Sequence, residues 1–196
     1  MEGNPLSKPL LSILVATVPN RIPEPASSLF AELCRQALGR PAEVLLLGDN
    51  RARTLGEKMD ALLSLARGVY TVFVDDDDTV SESYLKVLLT AIALDPIVDV
   101  INYDVRVTLE DGSEAIVRPS LLNPNEEFKP GGIVRRKPLQ TSVWRADLSK
   151  SSRWGVGQYN VDAAWAAPLW DRATTERNIP EVLYHYRRHI IATEAI

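Results

Sequence analysis

The sequence has little of what disulfide-stabilised, cysteine-ligated or membrane-spanning proteins need. Its 196 residues include one cysteine, Cys34, and two histidines. A single cysteine excludes an intramolecular disulfide and a cysteine cluster for zinc or iron–sulfur, and is typical of a reducing compartment. No apolar run approaches the roughly 20 residues that cross a bilayer, and residues 1–9 lack the charged start and apolar stretch of a signal peptide. We therefore expect a cytoplasmic protein without stable membrane insertion.

An excess of charge of one sign is also absent. The chain has 26 acidic and 22 basic residues, a formal net charge of −4 and an isoelectric point near 5.3. This balance gives no strong overall attraction to nucleic acid or anionic lipid, so partner choice depends on local patches. Hydrophobic residues make up 45% of the chain, enough for the core of one globular domain at this length. We expect residues 1–196 to form a single domain.

The first half of the chain alternates short apolar runs with amphipathic helical patterns. Near-continuous apolar runs are typical of parallel strands that are covered on both faces. The runs are Leu10–Val18, Glu43–Gly48 and Tyr70–Val74. Helical periodicity follows each run, with Ser27 and Thr54 as N-caps of the first two helices and Ser81 at the start of the third. This order predicts an α/β fold with a Rossmann-like, mostly parallel central sheet flanked by helices.

The second half, beyond Pro96, is less regular. Asp111-Gly112 is a hairpin turn signal between Val98–Arg106 and Ala115–Arg118, which predicts an antiparallel pair. The segment Asn123–Pro138 is rich in proline, glycine and charge, and predicts a long loop that includes the basic run 135–137. Such a run suits a phosphate-bearing partner but is most often simply solvated. The remaining expected elements are a helix over Val161–Arg172 and a short strand over Glu181–Arg187.

Four consecutive carboxylates, Asp75–Asp78, stand directly after the third apolar run. Ligands of open α/β sheets bind beyond the carboxyl ends of the strands, so these acids are expected at a binding site. Alternation along an extended chain puts Asp75 and Asp77 on one side and Asp76 and Asp78 on the other. Two like charges about 4 Å apart repel by roughly 4 kcal/mol at an effective dielectric of about 20. A divalent cation removes that repulsion, so the cluster predicts a site for Mn²⁺ or Mg²⁺; a solvated acidic turn is the alternative.

Residue spacing separates the chemistries that could use these acids. A calcium loop beginning at Asp75 would need glycine and glutamate where Val80 and Lys86 stand. The string Asp75 to Thr79 also fits the DxDxT signature of haloacid-dehalogenase-like phosphatases, with Asp75 as nucleophile and Asp77 as acid/base. That motif normally opens its fold and needs a second acidic pair downstream for magnesium, whereas here it follows two strands and no later Asp-Asp pair exists. A phosphatase remains an alternative.

Several segments of the first half together resemble the nucleotide-sugar domain of family 2 glycosyltransferases, which have the GT-A fold. They are Leu11–Arg21 (LSILVATVPNR), Val44–Asn50 (VLLLGDN), Gly56–Tyr70 (GEKMDALLSLARGVY) and Val72–Asp78 (VFVDDDD), followed by Tyr84-Leu85. The resemblance is weaker beyond Pro96, although Leu183–His189 (LYHYRRH) is similar to a segment that closes many catalytic domains of the family. It implies a nucleotide-sugar-binding half over about 1–95 and an acceptor half over about 96–196.

The resemblance also implies an activity and a donor site. The activity is metal-dependent, inverting transfer of a sugar from a nucleoside diphosphate sugar, most often a UDP-sugar, to an acceptor hydroxyl. The implied nucleotide-sugar contacts are Thr17, Pro19, Arg21, Asp49, Lys58, Asp75 and Asp76. The implied ligands of Mn²⁺ or Mg²⁺ are Asp77 and Asp75, with His185 or His189 completing the shell. Relatives often have Lys-Arg-Asn where this chain reads Lys58-Met59-Asp60, so only the lysine contact carries over.

In the acceptor half, the family pattern is matched only in part. Members commonly have two acids at the start of a late helix and an aromatic residue soon after; here Val161-Asp162 and Trp165 match, without the first acid. The resemblance makes Asp162 the general base that takes the proton of the acceptor hydroxyl. An acid that only favours the helix dipole is the structural alternative. Trp144 and Trp165 are candidate acceptor-stacking residues. The missing acid leaves a non-catalytic nucleotide-sugar-binding module as a further alternative.

Overall fold

A computed structural model of the chain describes residues 8–156 and 161–187. These residues form a nine-stranded mixed sheet with helices packed against it. The strands are β1 (Leu11–Thr17), β2 (Ala42–Gly48), β3 (Tyr70–Phe73), β4 (Thr79–Val80), β5 (Val100–Thr108), β6 (Glu114–Pro119), β7 (Ile133–Arg136), β8 (Val143–Arg145) and β9 (Glu176–Arg187). The helices are α1 (Ser27–Ala37), α2 (Leu55–Leu65), α3 (Tyr84–Leu94), α4 (Ala146–Ser149) and α5 (Val161–Trp170). The α/β fold predicted from the sequence is confirmed.

The sheet has a parallel half and a mixed half. β1 lies between β2 and β3 and is parallel to both, with Leu11 opposite Ala42 and Tyr70. β8 is antiparallel to β3 on one side and to β5 on the other, so it joins the two halves into one sheet. β5 also pairs with β6 and β9, and β4 extends the sheet beyond β9. The carboxyl ends of β1 and β3 therefore meet at one edge.

Two hydrophobic cores stabilise this sheet. One contains β1 side chains with the apolar stripes of α1 and α3, including Leu33 and Leu88. The other contains the stripes of α2 and α5, including Leu62 and Leu169. Because β1 contributes alternate residues to both cores, all seven of its residues are buried. This explains why its sequence is a near-continuous apolar run.

The local signals of the first half differ in how well they predicted the helix starts. The capping box of α2 is confirmed: the Thr54 hydroxyl accepts from the Glu57 backbone N–H, and the Glu57 carboxylate accepts from the Thr54 N–H. Ser27, in contrast, is the first residue of α1 and makes no N-cap hydrogen bond, because a helical turn over Ile22–Ala26 runs directly into α1.

The second half contains more strand than its sequence predicted. The Asp111-Gly112 hairpin joins β5 and β6, as predicted. The segment expected as a loop over Asn123–Pro138 instead contains β7, which pairs in parallel with β6. The last strand begins earlier than expected, at Glu176, because β5 provides a partner along its whole length. Within residues 8–156 and 161–187, no helix is long and apolar enough to cross a membrane.

Candidate active site

The four aspartates occupy the turn that follows β3. The Asp78 N–H donates to the Asp75 carbonyl at 3.2 Å, which closes the turn. The predicted alternation holds: Asp76 and Asp78 are buried, whereas Asp75 and Asp77 keep accessible surface. The turn thus directs one pair of carboxylates into the protein and the other pair outward.

Asp76 is bound to the end of β1 and the turn after it. It accepts hydrogen bonds from the Thr17 hydroxyl at 2.6 Å and from Arg21 Nη1 at 2.5 Å. Burial nevertheless raises the pKa of Asp76, and the bonds to Thr17 and Arg21 only partly oppose this effect. Arg21 Nη1 also lies 3.3 Å from Asp77. Arg21 therefore bridges one inward and one outward carboxylate.

Lys58 and Asp49 form a second ion pair beside the same strand end. Lys58 Nζ donates to the Thr17 carbonyl at 2.9 Å and lies 3.1 Å from Asp49 Oδ1. Burial acts to raise the pKa of Asp49, but Lys58 and Arg53 outweigh it and the pKa is lowered. The Lys58 side chain is 0% exposed. The expected direct contact of Lys58 with a nucleotide is therefore corrected: the lysine reaches Asp49 and the β1 end from within the core.

Five of the seven implied donor residues are thus brought together, and Pro19 lies exposed in the turn between Thr17 and Arg21. Asp75 adjoins them on the outward side of the acidic turn. It lies at a cavity wall, where it keeps accessible area although protein surrounds it on most sides. Burial, followed by the charges of Asp77, Asp76 and Asp162, raises the pKa of Asp75 to about 7.

Tyr184, a buried residue of β9, holds the acidic turn in place through hydrogen bonds. Its hydroxyl donates to Asp78 at 2.7 Å and accepts from the Asp75 backbone N–H at 2.9 Å. The Arg187 N–H donates to the other Asp78 oxygen at 2.9 Å. Burial and the charge of Asp75 raise the pKa of Asp78 to about 8. Sequence reasoning did not assign Tyr184 to the site, although it lies in the LYHYRRH segment quoted for the resemblance.

A cavity of about 380 Å³ opens beside Asp75, between the acidic turn and the sheet formed by β5 and β6. Asp162, in the first turn of α5, lines the same cavity. Gln140 also lines it, and this side chain acts to lower the pKa of Asp75, against the larger effect of burial. Arg136, the last residue of β7, and Lys137, which follows it, also line the cavity. Two acids separated by 87 positions in sequence therefore share one cavity with two cations.

The structure places the predicted histidine away from the acids. His185 neighbours Tyr184 on β9 and so faces the opposite side of the sheet, where burial and the charges of Arg106 and Arg187 lower its pKa. No described contact joins His185 to Asp75 or Asp77. His189 lies outside the described residues.

The two predicted acceptor-stacking tryptophans belong to the core. Trp144 and Trp165 are each 1% exposed. The Trp165 ring stacks on Trp154 with centroids 4.7 Å apart, and its edge faces Phe73 at 6.0 Å. The indole N–H groups of Trp144 and Trp165 donate to the backbone carbonyls of Leu139 and Ser149, respectively. Because protein covers both rings, the expectation that they stack on an acceptor is corrected.

The carboxylates of the acidic turn fit a divalent cation that is shared with a ligand. Among the described residues, no three Asp, Glu, His or Cys side chains are grouped as a ready-made metal cage. Mg²⁺, however, usually takes one or two protein carboxylates and completes its shell with water and substrate phosphates. Asp77 is 21% exposed, and the like charges around Asp75 repel one another. A cation held by Asp77 and Asp75 would remove that repulsion.

Comparison with known proteins gives a fold and no family. No family model matches the chain, and no curated protein matches it. Among solved structures, it is similar to S. aureus TarS residues 1–349, with a TM-score of 0.57 at 13% identity, over 90% of this chain and 60% of that one. It is similar to the UDP complex of the same TarS region with a TM-score of 0.57, and to the UDP-GlcNAc complex with 0.55 at 14% identity. This chain spans 60% or less of these TarS chains. At this identity, the likeness shows a shared fold.

Proposed function

We propose that the chain is a glycosyltransferase domain, which moves a sugar from a nucleoside diphosphate sugar to an acceptor hydroxyl. The observation that carries the proposal is the cavity in which Asp75 meets Asp162, next to the strand edge that gathers Thr17, Arg21 and Asp49. The similarity to TarS, whose structures include complexes with UDP and UDP-GlcNAc, supports a nucleotide-sugar donor and favours UDP.

In this proposal the paired charges at the β1 end hold the nucleotide. Asp49 is fixed by Lys58 from inside the protein, so its remaining acceptor positions are oriented for an N–H or O–H donor of the nucleoside. Arg21 stands between Asp76 and Asp77, where the diphosphate would arrive. Lys58 is then a positioning residue, because its side chain has no access to the ligand itself.

Asp77 and Asp75 would hold Mn²⁺ or Mg²⁺. Bound there, the metal would supply neutralisation of the negative charge that develops on the departing diphosphate. Tyr184 would help to fix the Asp75 backbone at this site, since its hydroxyl joins that backbone to the Asp78 carboxylate.

Asp162 is proposed as the general base. It removes the proton of the acceptor hydroxyl while that oxygen bonds to the anomeric carbon, and the bond from that carbon to the diphosphate oxygen breaks. Attack comes from the face opposite the leaving group, so the anomeric configuration inverts. Asp75 and Asp162 line the same cavity, so the proposed metal site and the proposed base face one bound substrate.

The decisive test is thermal stabilisation by UDP, measured with Mn²⁺ and with EDTA. A ligand that binds only the native state raises the melting temperature by mass action, so UDP should stabilise the chain more with Mn²⁺. Asp77→Asn should abolish the difference. The matched control is Asp95→Asn, which removes a partly exposed carboxylate at the end of α3 and should keep the difference. An unchanged Mn²⁺-dependent shift in Asp77→Asn would refute the metal assignment.

Turnover distinguishes transfer from the two alternatives. A glycosyltransferase should release UDP slowly from UDP-GlcNAc or another UDP-sugar, even without an acceptor. Hydrolysis of an aryl phosphate that Asp75→Asn abolishes, without UDP binding, would establish a phosphatase. UDP-sugar binding with no turnover under any acceptor condition would establish a binding module.

A further inference from the structure

We propose that the cavity beside Asp75 and Asp162 takes an anionic acceptor, a small molecule with a hydroxyl, an apolar part and a carboxylate or phosphate that pairs with Arg136 and Lys137. The inference rests on the proposed glycosyl transfer and adds the class of acceptor to it.

The first evidence is that, in the part of the chain that the structure describes, the side chains of the two cations bind backbone carbonyls and no carboxylate. Arg136 Nε donates to the Glu126 carbonyl at 3.2 Å, and Lys137 Nζ donates to the Leu121 carbonyl at 2.7 Å. Lys137 also lies 5.8 Å from the centre of the Trp170 ring. Within residues 8–156 and 161–187, neither cation forms an ion pair with a carboxylate. Their charge is therefore available to an anion that enters the cavity, with which charge-assisted hydrogen bonds are strong.

Two arginines of the same region, in contrast, do have carboxylate partners. Arg135 lies 3.7 Å from the Glu126 carboxylate, and Arg118 makes two hydrogen bonds to Asp104. Alternation along β7 puts Arg136 on the same side as the buried Val134, and puts Arg135 on the opposite side. The cation that faces the cavity is thus the one without a carboxylate partner.

The second evidence is the apolar part of the cavity wall. Val105 and Val107 of β5 line the cavity from one strand, and Val117 of β6 lines it from the next. Phe128 covers part of the same wall. Small-molecule sites are mostly apolar with a few placed polar groups, and a volume of about 380 Å³ is in the range of such sites. A fully hydroxylated polar acceptor would leave this wall without a matching surface.

The third evidence is the arrangement of the charges, which orients the ligand. Lys137 precedes Gln140 by three residues, at most about 11 Å of extended chain, and Gln140 lines the cavity together with Asp75. With Asp75 engaged by the proposed cation, Asp162 still disfavours a neighbouring anion, whereas Arg136 and Lys137 attract one, so the anion would lie against those two cations. The hydroxyl of the same molecule would then lie toward Asp162, the proposed base.

The test uses three phenyl β-glucosides with a carboxylate, a phosphate or a methyl ester at the para position. Binding to the full chain with UDP and Mn²⁺ is measured by calorimetry. The two anionic probes should bind at least about tenfold more tightly than the ester. The Arg136→Gln, Lys137→Gln double variant should lose this preference, while Arg135→Gln, the matched control, should keep it. The tighter of the two anionic probes would identify the acid that the site prefers.

Stabilisation by UDP, measured on the same variants, separates the two proposals. If UDP stabilises the chain but the ester binds as tightly as the acids, the acceptor inference is overturned and the proposed function stands. If UDP does not bind, the proposed function fails, and the acceptor assignment fails with it. Should the double variant not fold, Arg136→Lys against Arg136→Gln gives the same comparison, because only the lysine keeps the charge. Equal anion preference in that pair would also overturn the inference.

Discussion

The carboxyl end of β1 with Arg21, Asp49 and Lys58 is the proposed donor edge, and the cavity beside Asp75 and Asp162 is the proposed acceptor cavity. Both adjoin the acidic turn, and their charges are arranged in opposite ways. At the donor edge, Asp76 is bound to Arg21 and Asp49 is paired with Lys58. In the cavity, the strongest charges that act on Asp75 are other aspartates. Within residues 8–156 and 161–187, the side chains of Arg136 and Lys137, which also line the cavity, donate to backbone carbonyls and pair with no carboxylate.

The difference indicates which charged side chains are already held in place by protein partners and which remain available to a ligand or cation. A paired and buried charge is fixed in place, so it positions its neighbours at little further cost when a ligand arrives. Like charges held close together keep a free energy cost that a ligand or cation can remove. Strongly shifted titratable groups in a cleft are accordingly candidates for function. The cavity meets that description, whereas the donor edge is already organised.

The largest effect is expected from removing Asp162, the proposed base in the cavity. Asp162→Asn should reduce sugar transfer by about 100-fold to 10,000-fold, because the acceptor hydroxyl then loses its proton acceptor. Stabilisation by UDP and Mn²⁺ should be unchanged, since the donor edge is untouched. Single-turnover transfer and the thermal shift, measured on one preparation, provide both readings.

Asp171 is the matched control for this change. The sequence predicted a helix that continued through Asp171, but α5 ends at Trp170, and Asp171 is exposed beyond it. Asp171→Asn should therefore transfer sugar at the wild-type rate. An inactive Asp171 variant beside an active Asp162 variant would mean that the proton acceptor is not in this cavity.

How much the sequence could predict also differs between the halves of the chain. In the first half, each strand of the parallel sheet and the helix that follows it are local in sequence, so apolar runs and helical periodicity predict them within a few residues. In the second half, β7, β8 and the start of β9 depend on partners far away, such as β6 for β7. Short strands of this kind have a weak local signal, because distant pairing stabilises them.

The candidate site likewise contains some features that the sequence predicted and others that it could not. The acid run after β3 was visible because it interrupts an apolar strand, and its predicted alternation is seen in the burial of Asp76 and Asp78. The burial of Lys58 could not be predicted from composition, since it depends on the packing of α2 against β1 and β2. Nor could local sequence show that Arg136 faces the cavity, because that follows from the pairing of β7 with β6. Trp144 and Trp165 were misplaced because an aromatic residue in sequence does not reveal whether it covers a site or the core.

At the donor edge, the largest stability effect is expected for Lys58. Lys58→Met should lower the free energy of unfolding by about 3 kcal/mol, because it removes the buried partner of Asp49 Oδ1 and of the Thr17 carbonyl and leaves only Arg53 on the carboxylate. Denaturant unfolding measures this loss. Adding Asp49→Leu should recover part of it, since the carboxylate that lost its buried partner is then gone. Lys86→Met, at an exposed position of α3, is the control and should change little. A fully stable Lys58→Met would show that the pair contributes nothing to the scaffold.

The smallest effect concerns Asp78, and its sign depends on pH. The pKa of Asp78 is raised to about 8 in the folded chain and is about 3.9 when unfolded. Between these values the folded state binds more protons than the unfolded state, so this carboxyl lowers stability as pH rises from about 4 to about 8. Asp78→Asn cannot ionise, and its amide oxygen can still accept from the Arg187 N–H. Without metal or nucleotide, it should therefore be more stable than wild type at pH 8, by on the order of 1 kcal/mol, or about 2–4 °C in melting temperature. The advantage should shrink toward pH 5.

Asp147 provides the control of opposite sign for this measurement. Its hydrogen bonds to Arg145 lower its pKa, so the stability it contributes is present above about pH 4 and is lost as pH falls further. Asp147→Asn should therefore be slightly less stable than wild type at pH 7 and should converge with it in acid. If Asp78→Asn instead behaves like Asp147→Asn, its carboxylate is stabilised by Tyr184 and Arg187 more than burial opposes it. The Asp78 carboxylate would then be stabilised by its protein partners, as the carboxylates of the donor edge are. The contrast with the donor edge would be limited to Asp75 and the rest of the cavity.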